Sequence, residues 1–398
     1  MEEWKEYKLG EIFDFNNGLS KGGKFFGHGY DFVSFKTVFK NHFLPNTLDD
    51  LVESSKKERE KFSVKEGDVF LTRTSETQNE LAYSCVALKD YPNATYNGFT
   101  KRLRPNGKIK IDSIFSAYFF RSAIFRNQVT SMSNMVTRAS LSNEMLDRMS
   151  IKIPSYDLQK TIGKILFSFD AKIQLNKRIN DNLEQQAQAL FKSWFVDFEP
   201  FKNGKFVESE LGMIPEGWRI VSFSSFISPI NEKVLVGNLP EYSVTNNGII
   251  PRSEKYKKQL SNSNSQNKVL RKNNLVFGMS REILNWGIMM DEIGSVSSAY
   301  NIYDVNPLII NPLYLKYYME SHISSFNDLI GTAAREGQAL DKGALNNKVI
   351  YIPTHEVWNK FLRLDQFLRT MQRRNLHEIR NLEQLRDTLL PKLMSGEL

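Results

Sequence analysis

The chain contains two copies of one design. Asn182-Leu183-Glu184-Gln185 returns as Asn381-Leu382-Glu383-Gln384, 199 residues later. The same interval pairs Ile151-Lys152-Ile153-Pro154 with Ile350-Tyr351-Ile352-Pro353. It also pairs Ile114-Phe115, Tyr118-Phe119-Phe120 and Ser122 with Leu313-Tyr314, Tyr317-Tyr318-Met319 and Ser321. One register therefore holds without a gap from about residue 112 to about residue 195. Solenoids stack repeats of roughly 20–45 residues in many copies, so a period this long, present twice, excludes them. Upstream the match loosens. Asp68-Val69-Phe70-Leu71 resembles Asn274-Leu275-Val276-Phe277 at an interval of 206, and Trp4 and Trp218 each open a half. The fold must be a duplicated two-part unit: a variable globular segment, then a better-matched tail.

The tails read as helices. Apolar residues recur in the first at Leu158, Ile162, Ile165, Phe169, Ile173, Ile179, Leu183, Ala187, Leu190 and Trp194. The second runs Val357, Phe361, Leu364, Leu368, Met371, Ile379, Leu382, Leu385 and Leu389. Steps of three and four put these on one helical face. Pro154 and Pro353 precede the starts, Pro200 follows the first end, and Pro391 is expected to close the second. Each helix would hold about 40 residues and span about 60 Å. A helix that long with one apolar stripe needs a partner. If the halves are related by a two-fold, the tails partner one another in antiparallel sense. Asn176 and Asn375 fall where the stripe expects apolar residues. They either sit in the seam, fixing register at a cost in stability, or turn to the solvent edge.

The globular segments, 1–153 and 218–353, read as mixed α/β, with the helical tails at 154–199 and 354–398. Val69-Phe70-Leu71 and Leu275-Val276-Phe277 look like buried strands, and Ile111–Ser122 and Pro312–His322 like short helices. Residues 200–217 are rich in Gly and polar residues and read as a linker, and 261–267 (SNSNSQN) as a loop.

The 398 residues carry 53 Lys and Arg against 45 Asp and Glu, a net charge of +8 that favours a polyanionic partner. Two stretches concentrate it. One supplies Lys101, Arg102, Arg104, Lys108 and Lys110; the other Arg252, Lys255, Lys257, Lys258, Lys268, Arg271 and Lys272. Such clusters suit phosphate contacts, and a basic stretch in each repeat favours binding over a merely solvated face. Neighbouring Ser75, Thr77, Gln78 and Asn79 carry the donors and acceptors that read base edges. Lys21 and Lys24, in a Gly-rich loop, and Arg73, Arg138, Arg281 and Arg335 join the DNA-contact candidates. At the first helix's end, Phe191, Trp194, Phe195 and Phe198 lie on more than one face. Those not packed on the second helix are candidates for docking a partner.

Catalytic chemistry has no foothold in these patterns. The Gly-rich loop at 16–29 lacks the G-x-x-x-x-G-K-[ST] spacing of a phosphate loop. Asn311-Pro312-Leu313-Tyr314 lacks the second proline of the amino-methyltransferase signature and reads as a helix start. The five histidines form no H-E-x-x-H or H-x3–5-H pair. There is no Gly-x-Ser-x-Gly elbow. A single cysteine, Cys85, rules out an internal disulfide or a multi-cysteine metal site and suits a reducing compartment. The charged N-terminus carries no apolar core, and apolar runs fall short of the roughly 20 residues that span a membrane. A soluble, cytoplasmic protein without a cofactor of its own is expected.

The duplicated layout resembles the specificity subunit of type I restriction–modification systems over essentially the whole chain. The likeness is carried by Gln188–Glu199 (QALFKSWFVDFE), Leu389–Leu398 (LLPKLMSGEL), Glu66–Glu76 (EGDVFLTRTSE), and the Ile-Pro pairs leading into the long helices. The resemblance implies two pseudo-two-fold-related α/β recognition domains separated by a long antiparallel two-helix coiled coil. Each domain would read one half of a bipartite site on double-stranded DNA. The helices would set the distance between half-sites. Modification subunits, two copies, and the restriction subunit would dock there and carry the S-adenosylmethionine and ATP chemistry. Two other classes stay open on the residues alone: a stand-alone methyltransferase or nuclease, and a bivalent scaffold that binds proteins.

Overall fold

The computed structural model describes the chain except residues 1–3, 76–79, 133–138, 236–238, 247, 253–265, 279–283, 332–338 and 398. It divides into two compact units, Met1–Ile179 with Arg373–Leu398, and Asn180–Gln372. The division cuts both long helices, so each unit includes a helical segment from the other repeat.

Both units are built on the same sheet. In the first, the strands are β1 (Phe13–Asn17), β2 (Val69–Thr72), β3 (Ser84–Val86) and β4 (Thr100–Pro105). They lie in the order β1-β4-β2-β3, antiparallel throughout. In the second, β5 (Ile227–Ile230), β6 (Leu275–Phe277), β7 (Trp286–Ile288) and β8 (Asn301–Val305) lie in the order β5-β8-β6-β7. Side chains alternate across a strand. Val69 and Leu71 thus enter one cluster and Phe70 another, while Leu275 and Phe277 enter one and Val276 another. Both faces of each sheet are covered, which is why these strands read as unbroken apolar runs. Register gives the equivalences: Leu71 faces Lys101 as Phe277 faces Asn301. Asp68 binds Arg104 in the first unit, and Asn274 binds Asp304 in the second.

The better-matched half of the repeat follows one plan in both units. Helix α1 (Ser113–Arg121) is capped by Asp112, whose carboxylate accepts from the Ile114 and Phe115 amides. Its counterpart α3 (Pro312–Ser321) is capped by Asn311 with proline at the first turn, so residues 311–314 are a helix start. The strands Ser150–Ile153 and Val349–Ile352 each pair with the strand that opens their repeat, Lys5–Lys8 and Arg219–Ser222. Each then feeds a long helix, α2 (Tyr156–Phe195) or α4 (His355–Ser395). The segment expected as a linker contains a hairpin, Phe206–Ser209 against Gly212–Pro215.

Within each unit the helical segments run antiparallel. In the first unit Asp170 meets Arg386 and Asn176 meets Glu378; in the second Asn180 meets Gln372 and Glu184 meets Arg369. Asn176 and Asn375 are buried in the seam. Two expectations change. Pro391 lies inside α4, which continues to Ser395, because Leu393 and Met394 hold the last turn in the first unit's core. The apolar stripe is also offset in places. Ile165, Leu364 and Leu385 are exposed, and the residue buried at the first of these turns is Leu166.

Candidate nucleic-acid interface

The basic residues of β4 lie at the centre of the first unit's sheet, and the sheet consumes most of them. Arg104 grips Asp68 with two nitrogens, at 2.7 and 2.6 Å, and donates to the Ser63 carbonyl at 2.9 Å. Arg102 is buried, donates to the same carbonyl at 2.7 Å and lies over the Tyr96 ring. Both were DNA-contact candidates, and both work inside the fold. A charged run in sequence gave no sign of an acid and a carbonyl waiting on a neighbouring segment. Lys21 is also engaged, bridging Glu58 at 2.9 Å and donating to the Glu53 carbonyl at 2.7 Å. Lys24 stays exposed beside Phe25.

In the second unit, Arg271 pairs with Glu232 at 2.6 Å but keeps about half its side chain exposed. Arg252 lies 3.2 Å from Glu241. Thr77, Gln78, Arg138, Lys255, Lys257, Lys258, Arg281 and Arg335 lie outside the described residues. One short strand pair borders the first unit's share of these: Thr74–Ser75, just before 76–79, pairs with Ala139–Ser140, just after 133–138.

Arg73 and Lys101 stand at this end of strands β2 and β4. The Lys101 ammonium donates to the side-chain oxygens of Asn17, at 3.1 Å, and Asn143. Burial, and then the positive charge of Arg73, lower its pKa. Arg73 donates its backbone N–H to the Phe99 carbonyl at 2.9 Å, and Phe99 is 64% exposed. Sequence reasoning overlooked Phe99. The Asn97-Gly98 turn before a strand was the available signal, since it lifts the next residue to a strand end.

The aromatic end of α2 is a core element. Phe191 and Phe195 are fully buried against Tyr314, Phe361 and neighbouring rings. They offer no surface to a partner, so the docking expectation fails for these two. Trp194 and Phe198 are partly buried on the same cluster.

Each unit also ties its sheet-side helix to the paired helices through a tyrosine. The Tyr118 hydroxyl donates to Asp170 at 2.5 Å, Arg386 reaches the other carboxylate oxygen at 2.6 Å, and His42 lies 3.8 Å away. Burial alone would raise the Asp170 pKa, but His42, Tyr118 and Arg386 together hold it at about 2. In the second unit Tyr317 donates to the buried Asp365 at 2.6 Å, and Arg369 spans Tyr317 and Glu184, the latter at 2.6 Å. Among the described residues no group of His, Cys, Asp and Glu is placed to hold a metal ion, and no helix is long and apolar enough to cross a membrane.

Comparison with known proteins adds to this geometry. A family model described as the type I restriction modification DNA specificity domain matches residues 1–185. The type I restriction enzyme MjaIX specificity subunit of Methanocaldococcus jannaschii is 27% identical over 325 residues, 79% of this chain and 74% of the relative. The HindI specificity subunit of Haemophilus influenzae is 29% identical over 212 residues, 51% of this chain and 43% of the relative. The solved S subunit of a type I restriction–modification system from M. genitalium matches with a TM-score of 0.51 at 13% identity, covering 99% of this chain and 96% of that one. A chain solved in work on complex assembly and conformational transition of the type I R-M system also gives 0.51, at 14% identity, covering 99% and 98%. At these identities the structural likeness carries the fold alone.

Proposed function

We propose that the chain is a specificity subunit of a type I restriction–modification system, similar to the relatives above, and that it serves as the non-catalytic DNA reader of such a complex. Each unit reads one half of a bipartite target on double-stranded DNA. The paired helices set the length of the unread spacer. Modification subunits, two copies, and the restriction subunit dock on the chain and supply methyl transfer and ATP-dependent cleavage in the cytoplasm.

The observation that carries this reading is one sheet-and-helix plan used twice with different strand-end residues. Duplicated scaffolding with divergent edges suits two half-sites of unequal sequence, because scaffold sets position while edge residues set which bases are read. Ile165 and Leu364 support a pair of identical partners: they are repeat equivalents, and both are exposed on the long helices.

Methylome sequencing tests the reading. Replacing 1–153 with another recognition segment is expected to change one half-site and leave the other. Adding helical residues after Asn180 is expected to lengthen the spacer with both half-sites intact. A change in both half-sites from the first swap, or an unaltered spacer from the insertion, would overturn it.

A further inference from the structure

We propose that Arg73, Lys101 and Phe99 form a phosphodiester-binding site at the strand ends of the first unit's sheet, with none of the three residue types kept at the matching sequence positions of the second repeat. The proposal rests on the DNA-reading role above and assigns it unequally between the two units.

The site begins with charge that the described residues leave uncompensated. Lys101 is 4% exposed, yet its ammonium is held by two amide oxygens and no carboxylate. Amide oxygens satisfy hydrogen bonds without cancelling charge, and a buried cation without a counter-charge is costly. Arg73 adds to the cost. Its Nε is buried and meets no hydrogen-bond acceptor among the described residues, in contrast to Arg104 with its two-point grip on Asp68. The acid that acts on Lys101, Glu144, is fully exposed and bound to Ser142. Among the described residues these two cations converge without an internal anion, an arrangement suited to an external one, and a phosphate supplies it.

Phe99 narrows the class of anion. It is a large exposed ring joined to Arg73 through the backbone. A cation pair beside an exposed aromatic matches a nucleic-acid strand, whose phosphate takes the charges while an adjoining base or sugar covers the ring.

Register supplies the contrast. Because Leu71 faces Lys101 as Phe277 faces Asn301, counting along the sequence from these pairs matches Arg73, Phe99 and Lys101 to Met279, Ala299 and Asn301, of which Met279 lies outside the described residues. All three features vanish together, as expected of parts of one site.

The test uses the full-length chain, a fluorescein-labelled DNA duplex of mixed sequence, and binding isotherms over a range of NaCl concentrations. Lys101→Met and Arg73→Gln are each expected to weaken binding several-fold and to flatten the log–log salt dependence by about 0.9, the signature of one lost phosphate contact. Phe99→Ala should weaken binding with the slope unchanged. Asn301→Met in the second unit should leave the salt slope unchanged. Lys101→Met should also melt no lower than the parent, because it removes a buried uncompensated charge. Binding and slope unchanged in both Lys101→Met and Arg73→Gln would overturn the site while leaving the DNA-reading role intact. So would a weakening of Lys101→Met that only tracks a lower melting temperature, with Arg73→Gln binding normally. Failure of the parent chain to bind the duplex would remove the DNA-reading role, and this site with it.

Discussion

Asp170 and Arg369 occupy the same position of the repeat, carry opposite charges, and approach equivalent tyrosines, Tyr118 and Tyr317. Their surroundings differ to match. In the first unit the acid is on α2 and its guanidinium, Arg386, on α4. In the second the guanidinium is on α4, its acid Glu184 on α2, and a second carboxylate, Asp365, takes the place of Leu166. Geometry has been retained while polarity has inverted, so both clusters set an acid on α2 against a base on α4. Two copies of α2 paired with one another would bring Asp170 against Glu184, acid against acid. The lesson is that duplication has kept a scaffold and then matched the two halves to each other.

Five measurements break or sharpen that comparison. The largest effect lies where the helix ends differ: Phe191 and Phe195 correspond to Leu390 and Met394. Phe195→Ala is expected to cost about 3–5 kcal/mol in urea unfolding, and Met394→Ala about 2–4, reflecting the smaller volume removed. Equal losses would mean the aromatic end has no special weight. Next, Arg369→Met leaves Asp365 and Glu184 without their cation and is expected to cost about 2–3 kcal/mol, at or below the low end for buried pairs because the site is partly solvated. Arg386→Met strands Asp170, while its other partner, Asp387, is exposed to solvent, and should cost less; a larger loss there would reverse the ranking of the two clusters.

The exchange Asp170→Arg with Arg386→Asp should recover at least half of what either single change loses, as read in a double-mutant cycle. Additive losses would show that the charges are not coupled across the helices. The pH dependence separates the clusters further. Asp170 has its folded-state pKa lowered from 3.8 to about 2, so its contribution is present above pH 3.8 and lost as pH falls through 2. That contribution is about 2 kcal/mol. Asp170→Asn should flatten the stability profile in this window; an unchanged profile would contradict the assigned pKa. The smallest effect is expected from Tyr118→Phe and Tyr317→Phe, about 1–2 kcal/mol each for a hydrogen bond to a charged group. The Tyr317 change should be the larger, because that hydroxyl both donates to Asp365 and accepts from Arg369.

How much of this was legible in the sequence follows from what each part must do. The tails were readable because a helix pair demands apolar residues at a fixed period, and that demand holds in both copies. The period could not say whether Ile165 or Leu166 faces inward, since adjacent positions differ by a modest rotation about the helix. The strands at Val69 and Leu275 were readable because both faces of the sheet are covered. Arg102 and Arg104 could not be told apart from Lys101 in the basic run, because partners such as Asp68 and Ser63 arrive from distant segments and spacing along the chain does not encode them. Asp170 and Arg369 share one position of the repeat, but the partners that explain their opposite charges, Arg386 and Glu184, lie on the other helix and are not encoded by spacing along the chain.

The first unit is finished by Leu393 and Met394, which come from the far end of α4. A ribosome delivers residues in order, at roughly 5–20 per second. The leading unit must therefore wait, with part of its apolar interior uncovered, while the whole second unit is synthesised, an interval of order ten seconds or more at that pace. The half made first closes last, and a nascent chain of this design is exposed to misassociation for longer at its front than at its middle.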